Sequence, residues 1–134
     1  MREEAGWDVE KVPGWIGASR SGERPTWVAE LDGETVGMVS LELVDPDPEV
    51  ADGKGTAAVT SLSVLASAGR RGIGRALTEF AEEQARARGV RVLTLNTRPT
   101  NAAALALYQG LGYRTWKQEE RPWGLAVFLR KRLD

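Results

Sequence analysis

The chain has no cysteine and no histidine. The first absence excludes disulfides, a thiolate nucleophile and zinc–thiolate sites. The second removes the commonest metal ligand and the usual general base at neutral pH. Proton transfer must therefore fall to carboxylates, tyrosine, lysine, serine or water. A large charge of one sign is also missing: 18 basic and 19 acidic residues leave a net −1. That argues against nucleic acid as a partner, while leaving a local basic patch open. No apolar run approaches the roughly 20 residues that span a membrane, and the start lacks a signal-peptide pattern. A soluble, cytoplasmic protein with no membrane partner is the expectation. No repeat or linker interrupts the 134 residues, which read as a single domain over 1–134, able to bury a core without disulfide or metal.

What is present organises itself from Thr26 onward. The first 24 residues are polar, carry Trp7 and Trp15, and are interrupted by Pro13-Gly14, which suggests one or two short helical turns. Residues 27–31, the Asp32-Gly33 turn signal and residues 35–44 predict a β-hairpin. Two prolines and two glycines make 45–55 a loop. A strand follows over 57–65. Residues 72–88 form an amphipathic helix with Ile73, Leu77, Phe80, Ala81 and Gln84 on one face and Glu79, Glu82, Glu83 and Arg86 opposite. Gly89 stops it. A strand over 90–95 then implies a parallel pair with a right-handed crossover. A second helix over 101–111, N-capped by Thr100, and strands over 113–121 and 125–133 complete the reading.

The chemistry concentrates in the turn Gly69-Arg70-Arg71-Gly72-Ile73-Gly74-Arg75. Its glycines leave the backbone approachable, and the helix that opens there adds free N–H groups and the positive end of its dipole. Such a turn suits phosphate; a flexible loop with solvated arginines is the plainer alternative. The second helix brings the phenol of Tyr108 toward the same place, and the pair suggests an enzyme holding a pyrophosphate-bearing cofactor. The nucleotide P-loop is excluded because Arg75-Ala76 follows Gly74 instead of Lys-Ser/Thr. The dinucleotide fingerprint is excluded because the glycine order is G-x-x-G-x-G.

That order, after Leu62-Ser63-Val64, resembles motif A of the GCN5-related N-acetyltransferases, [QR]-x-x-G-x-[GA] opening the helix after the fourth strand. Counting five from Val64 places Gly69 at the first position, where the family has Gln or Arg. A literal match one half-turn later, starting at Arg71, is two residues too far from Val64. Downstream, Asn101-Ala102-Ala103-Ala104 through Tyr108 to Gly112-Tyr113 is similar to the family's N-x-x-A-x-x-x-Y-x-x-x-G-[FY] helix. Asn101, Ala104, Leu105 and Tyr108 share one face of it. The resemblance covers residues 27–133.

The resemblance implies an α/β fold: a mixed, largely antiparallel central sheet splayed at one parallel pair, with helices on both faces in three α-β-α layers. It also implies a first strand, for which the sequence shows no convincing candidate before Trp27. The implied activity is acetyl transfer from acetyl-CoA, without metal, to a primary amine of a small molecule or peptide by direct attack in a ternary complex. Ser63 and Val64 would meet the pantetheine and acetyl group, and residues Gly69, Arg70, Arg71, Gly72, Ile73 and Gly74, with Arg75, would hold the pyrophosphate. Tyr108 would be the general acid, and Asn101 would hydrogen-bond the cofactor arm or a water. Absent cysteine and an activated serine, no acyl-enzyme is expected. A non-catalytic acyl-CoA-binding or sensor module on the same fold is the alternative. Glu42, Glu119 and Glu120 are candidate bases through water, each more simply a solvated strand residue. Trp15, Trp27, Trp116 and Trp123 are candidates for an acceptor pocket or a homodimer contact, or fill core gaps. Asp45, Asp47 and Glu49 resemble a calcium loop only superficially, since Val50 stands where glycine is needed.

Overall fold

Period-two alternation of apolar residues builds a seven-stranded sheet. The computed structural model describes residues 7–11, 25–31, 34–64 and 72–133. Its strands are β1 (Trp7–Lys11), β2 (Thr26–Leu31), β3 (Glu34–Glu42), β4 (Thr56–Val64), β5 (Val92–Thr97), β6 (Arg114–Arg121) and β7 (Gly124–Arg132). Two described helices, α1 (Ile73–Ala87) and α2 (Ala102–Gly110), follow β4 and β5. The spatial order is β1-β2-β3-β4-β5-β7-β6, and every neighbouring pair is antiparallel except β4–β5. The mixed, splayed sheet expected from the sequence is therefore present.

A strand does precede Trp27. Residues 7–11 pair antiparallel with β2, Trp7 opposite Leu31 and Lys11 opposite Trp27. The short helical turns expected elsewhere in the first 24 residues, and any helix they would supply to the opposite face, lie outside the described residues. A five-residue edge strand whose order is fixed by a neighbour offers little local pattern to detect.

Both described helices contribute to one core. Ile73, Leu77, Ala81 and Ala85 of α1 join Val39, Leu41, Leu93, Leu95 and Leu129 of the sheet, and Tyr108 of α2 joins them. Residues of opposite parity, Ala58, Ala126 and Phe128, form a second cluster with Val50 on the other face. Gly37 lets α1 approach the sheet: a Cβ there would lie 2.9 Å from the Ser63 carbonyl oxygen and 3.0 Å from Leu77.

Two details depart from expectation. Asn101, not Thr100, caps α2, its Oδ1 accepting from the Ala104 N–H at 3.1 Å. Glu82, expected on the solvent face of α1, is only 4% exposed. Its carboxylate accepts from the Tyr113 hydroxyl at 2.8 Å and from Lys131 Nζ at 3.0 and 3.1 Å. Those partners lie far along the chain, so local helical geometry alone places Glu82 outside; the tertiary fold brings it in.

Candidate active site

The site arises where two strands part. β4 pairs with β5 only from Thr56, Ala57 and Ala58 to Val92, Leu93 and Thr94. Beyond Ala58 the β4 backbone has no strand partner on its β5 side among the described residues. A bulge helps open the gap: Met38 and Ser40 of β3 face Ser63 and Thr60, so β4 carries one extra residue there. An odd insertion reverses side-chain parity. Leu62 and Val64 thus turn to the helix side and pack against the core that Ala57 and Val59 already join.

The resulting cleft, about 770 Å³, lies between the open strands, the start of α1 and one flank of α2. Val64, Gly72, Gly74, Arg75, Asn101 and Tyr108 all line it, six of the residues expected from sequence. Ile73 is fully buried and packs in the core, so only its backbone is available. Ser63 is exposed and pairs with Met38. Gly69, Arg70 and Arg71 lie outside the described residues.

The start of α1 is suited to an anion. Gly72 occupies the N-cap at φ 73° with no side-chain cap, and no acid stands in the first turn. The N–H groups of Ile73, Gly74 and Arg75 therefore keep no intrahelical partner, and the helix dipole adds positive potential. Among the described residues nothing lies within 4 Å of the position a Gly72 Cβ would take. At Gly74 a Cβ would meet Leu107 at 3.5 Å and Val64 at 3.8 Å, projecting toward the cleft wall. Arg75 is exposed and only loosely held by Glu79 at 3.6 Å.

Tyr108 stands across the cleft. The residue is 7% exposed, and its ring meets Tyr113 edge-on at 6.0 Å between centroids. Its carbonyl accepts from the Tyr113 N–H at 2.9 Å, which closes α2 against β6. Burial pushes the Tyr108 phenol above its ordinary value, so it stays protonated at neutral pH.

Sequence reasoning missed Thr60 and Asn96. Both line the cleft and also a smaller cavity of about 120 Å³ on the other side, so they divide the two. The Thr60 Oγ1 is buried without a hydrogen-bond partner among the described residues. Glu42, Asp45, Arg121 and Trp123 border the smaller cavity. Of the four tryptophans considered, Trp27 is in the core and Trp116 packs on Phe128. Trp15 lies outside the described residues. Trp123 is 42% exposed, with the Arg98 guanidinium 5.0 Å from its ring. Among the candidate bases, Glu119 is engaged by Arg121 at 3.2 Å and Lys117 at 3.6 Å, and Glu120 is exposed. Glu42 borders a cavity. Asp47 and Glu49 hold Lys117 at 3.0 and 3.1 Å, a structural clasp between the loop and β6.

Comparison with known proteins bears on the fold and the family. Residues 2–113 match the model of the acetyltransferase (GNAT) family. The chain is 39% identical over 88 residues to mouse N-acetyltransferase family 8 member 3, covering 66% of this chain but only 38% of that protein's length. A ribosomal-protein-alanine N-acetyltransferase from Brucella melitensis superposes with a TM-score of 0.75 at 28% identity, over 90% of this chain and 75% of that one. The Salmonella typhimurium protein yncA, whose structure includes its cofactor acetyl-CoA, superposes with a TM-score of 0.74 at 24% identity, over 90% of this chain and 71% of that one.

Proposed function

The chain belongs to the acetyltransferase (GNAT) family, and from that premise we propose that it transfers an acetyl group from acetyl-CoA to a primary amine. The observation that carries the reading is the cleft itself. It joins an uncapped helix start, a strand edge with no strand partner among the described residues and a protonated phenol in one space.

Each part has a physical task. The free N–H groups at Ile73, Gly74 and Arg75 hold pyrophosphate, with the Arg75 side chain adding charge. The open edge of β4 near Val64 pairs with the pantetheine amides as a neighbouring strand would, and its N–H groups polarise the acetyl carbonyl. Asn101 uses its amide toward the same arm, its Oδ1 already serving the α2 cap. The acceptor approaches from the smaller cavity past Thr60 and Asn96, where Glu42 draws off a proton through water. The neutral amine attacks the carbonyl carbon and a C–N bond forms. As the C–S bond breaks, Tyr108 gives its proton to the departing thiolate, and the nitrogen loses its proton to water. Tyr108 is recharged from solvent.

The acceptor class is set at the smaller cavity. Its volume of about 120 Å³ admits an amine and a few carbons, with the rest of the molecule outside against Trp123. The N-terminus of a peptide and a small alkylamine both satisfy that shape. Titration calorimetry with acetyl-CoA tests the reading: low-micromolar binding is expected, and no heat at high micromolar concentration would sink it. An amine panel then separates enzyme from non-catalytic sensor through amine-dependent release of free CoA.

A further inference from the structure

A second cavity, about 510 Å³, opens at the end of the sheet where α2 returns into β6. It is lined by Val92, Gly112, Arg114, Arg130, Lys131 and Arg132, and contains no residue of the cleft. Pairing of β6 with β7 sets Arg114 directly opposite Arg130. Arg132 is two residues further along β7 and so shares the face of Arg130. All three are exposed.

This arrangement is not one the fold requires. Like charges placed directly opposite on paired strands are destabilising. Among the described residues neither Arg114 nor Arg130 forms an ion pair. The Arg130 guanidinium lies 5.0 Å over the Trp116 ring, a cation–π contact that supplies no anionic partner. Lys131 differs, because its ammonium is held by Glu82. The net charge of −1 therefore conceals a local cluster of positive potential.

We propose that this cavity binds ligands carrying two or more phosphate groups. Guanidinium forks engage phosphate oxygens in pairs, and each phosphate brings at least one negative charge with two or three free acceptor oxygens. Cross-strand partners stand about 5 Å apart and same-face neighbours on one strand about 7 Å. Such an array engages a chain of anionic groups better than a single carboxylate. The lining offers one apolar side chain, Val92, so recognition falls on charge and not on a base or ring. A free oligophosphate and the backbone of a nucleic acid share this chemistry.

The test uses the full chain saturated with acetyl-CoA, so that the phosphate site at the cleft is filled. Inorganic tripolyphosphate and a short oligouridylate are titrated separately, against wild type and an Arg114→Gln/Arg130→Gln double variant. Tripolyphosphate should bind, and the double variant should weaken it about tenfold or more, through the lost charge-assisted hydrogen bonds. Tighter binding of oligouridylate, with a steeper salt dependence, assigns the site to nucleic acid; weaker binding assigns it to free oligophosphate. Acetyl-CoA affinity should be unchanged, which reports that the variant is folded. Should the double variant fail to fold, Arg132→Gln alone should still weaken tripolyphosphate measurably. Absence of binding of both probes at millimolar concentration would overturn the proposal, as would binding that the folded variants retain in full.

Discussion

Glu82 is expected to be the most costly polar side chain of α1 to remove. Its side chain is 6% exposed, and both carboxylate oxygens are engaged by Lys131 and one also by Tyr113. Glu82→Ala leaves the Tyr113 hydroxyl buried without its acceptor, which costs about 1–3 kcal/mol. Lys131 is 22% exposed and can turn to water, so its share falls below the charged hydrogen-bond range of about 1.5–3 kcal/mol, at about 1 kcal/mol. The expected total is about 2–4 kcal/mol. Tyr113→Phe removes one hydrogen bond but leaves Glu82 on Lys131, for about 1–2 kcal/mol. Because both substitutions delete the same Tyr113–Glu82 bond, the double variant should fall short of the sum by about 1 kcal/mol. Urea denaturation of the two single variants and the double variant measures all three quantities. A Glu82→Ala loss below about 0.5 kcal/mol would refute the reasoning, because surface substitutions fall in that range.

Other outcomes follow from the same geometry. Gly37→Ala should cost about 1–3 kcal/mol by equilibrium unfolding, because the new methyl meets the Ser63 carbonyl backbone at 2.9 Å; an unchanged midpoint would contradict the close approach. Gly72→Asp should weaken acetyl-CoA binding about tenfold or more in calorimetry, by placing a negative charge at the uncapped helix start. Its effect on stability should stay near 1 kcal/mol, since the left-handed φ is less costly for Asp than for most residues. Burial first, and then the Glu82 charge, push the Tyr113 phenol well above its ordinary value of 10.0. Above pH 10 the unfolded chain therefore releases this proton while the folded chain keeps it, so stability should fall as pH rises past 10. Denaturation at pH 9 and pH 11 should show that fall, and Tyr113→Phe should reduce it.

The part of the fold that repeats locally was legible. The period of α1, the glycine at its start and the strand–helix–strand order were enough to place the parallel pair and bring Tyr108 to the opening of α1. Where a distant partner decides, local pattern failed. Residues 7–11 become a strand because β2 offers an edge, and Glu82 turns inward because Tyr113 and Lys131 meet it there. Thr60 and Asn96 reach the site through a bulge in β4 and the parting of β4 from β5, neither of which leaves a mark in alternation. Asn101 was expected to face the cofactor and does line the cleft, yet its oxygen also caps α2.

The most direct test of the central claim is amine-dependent release of free CoA by wild type and Tyr108→Phe at neutral pH. Removing the proposed general acid should lower kcat about 100-fold or more, while acetyl-CoA should bind both proteins with equal affinity. Equal turnover by the two proteins, or CoA release indifferent to amine, would contradict the assignment of Tyr108 as the acid of an N-acetyltransferase.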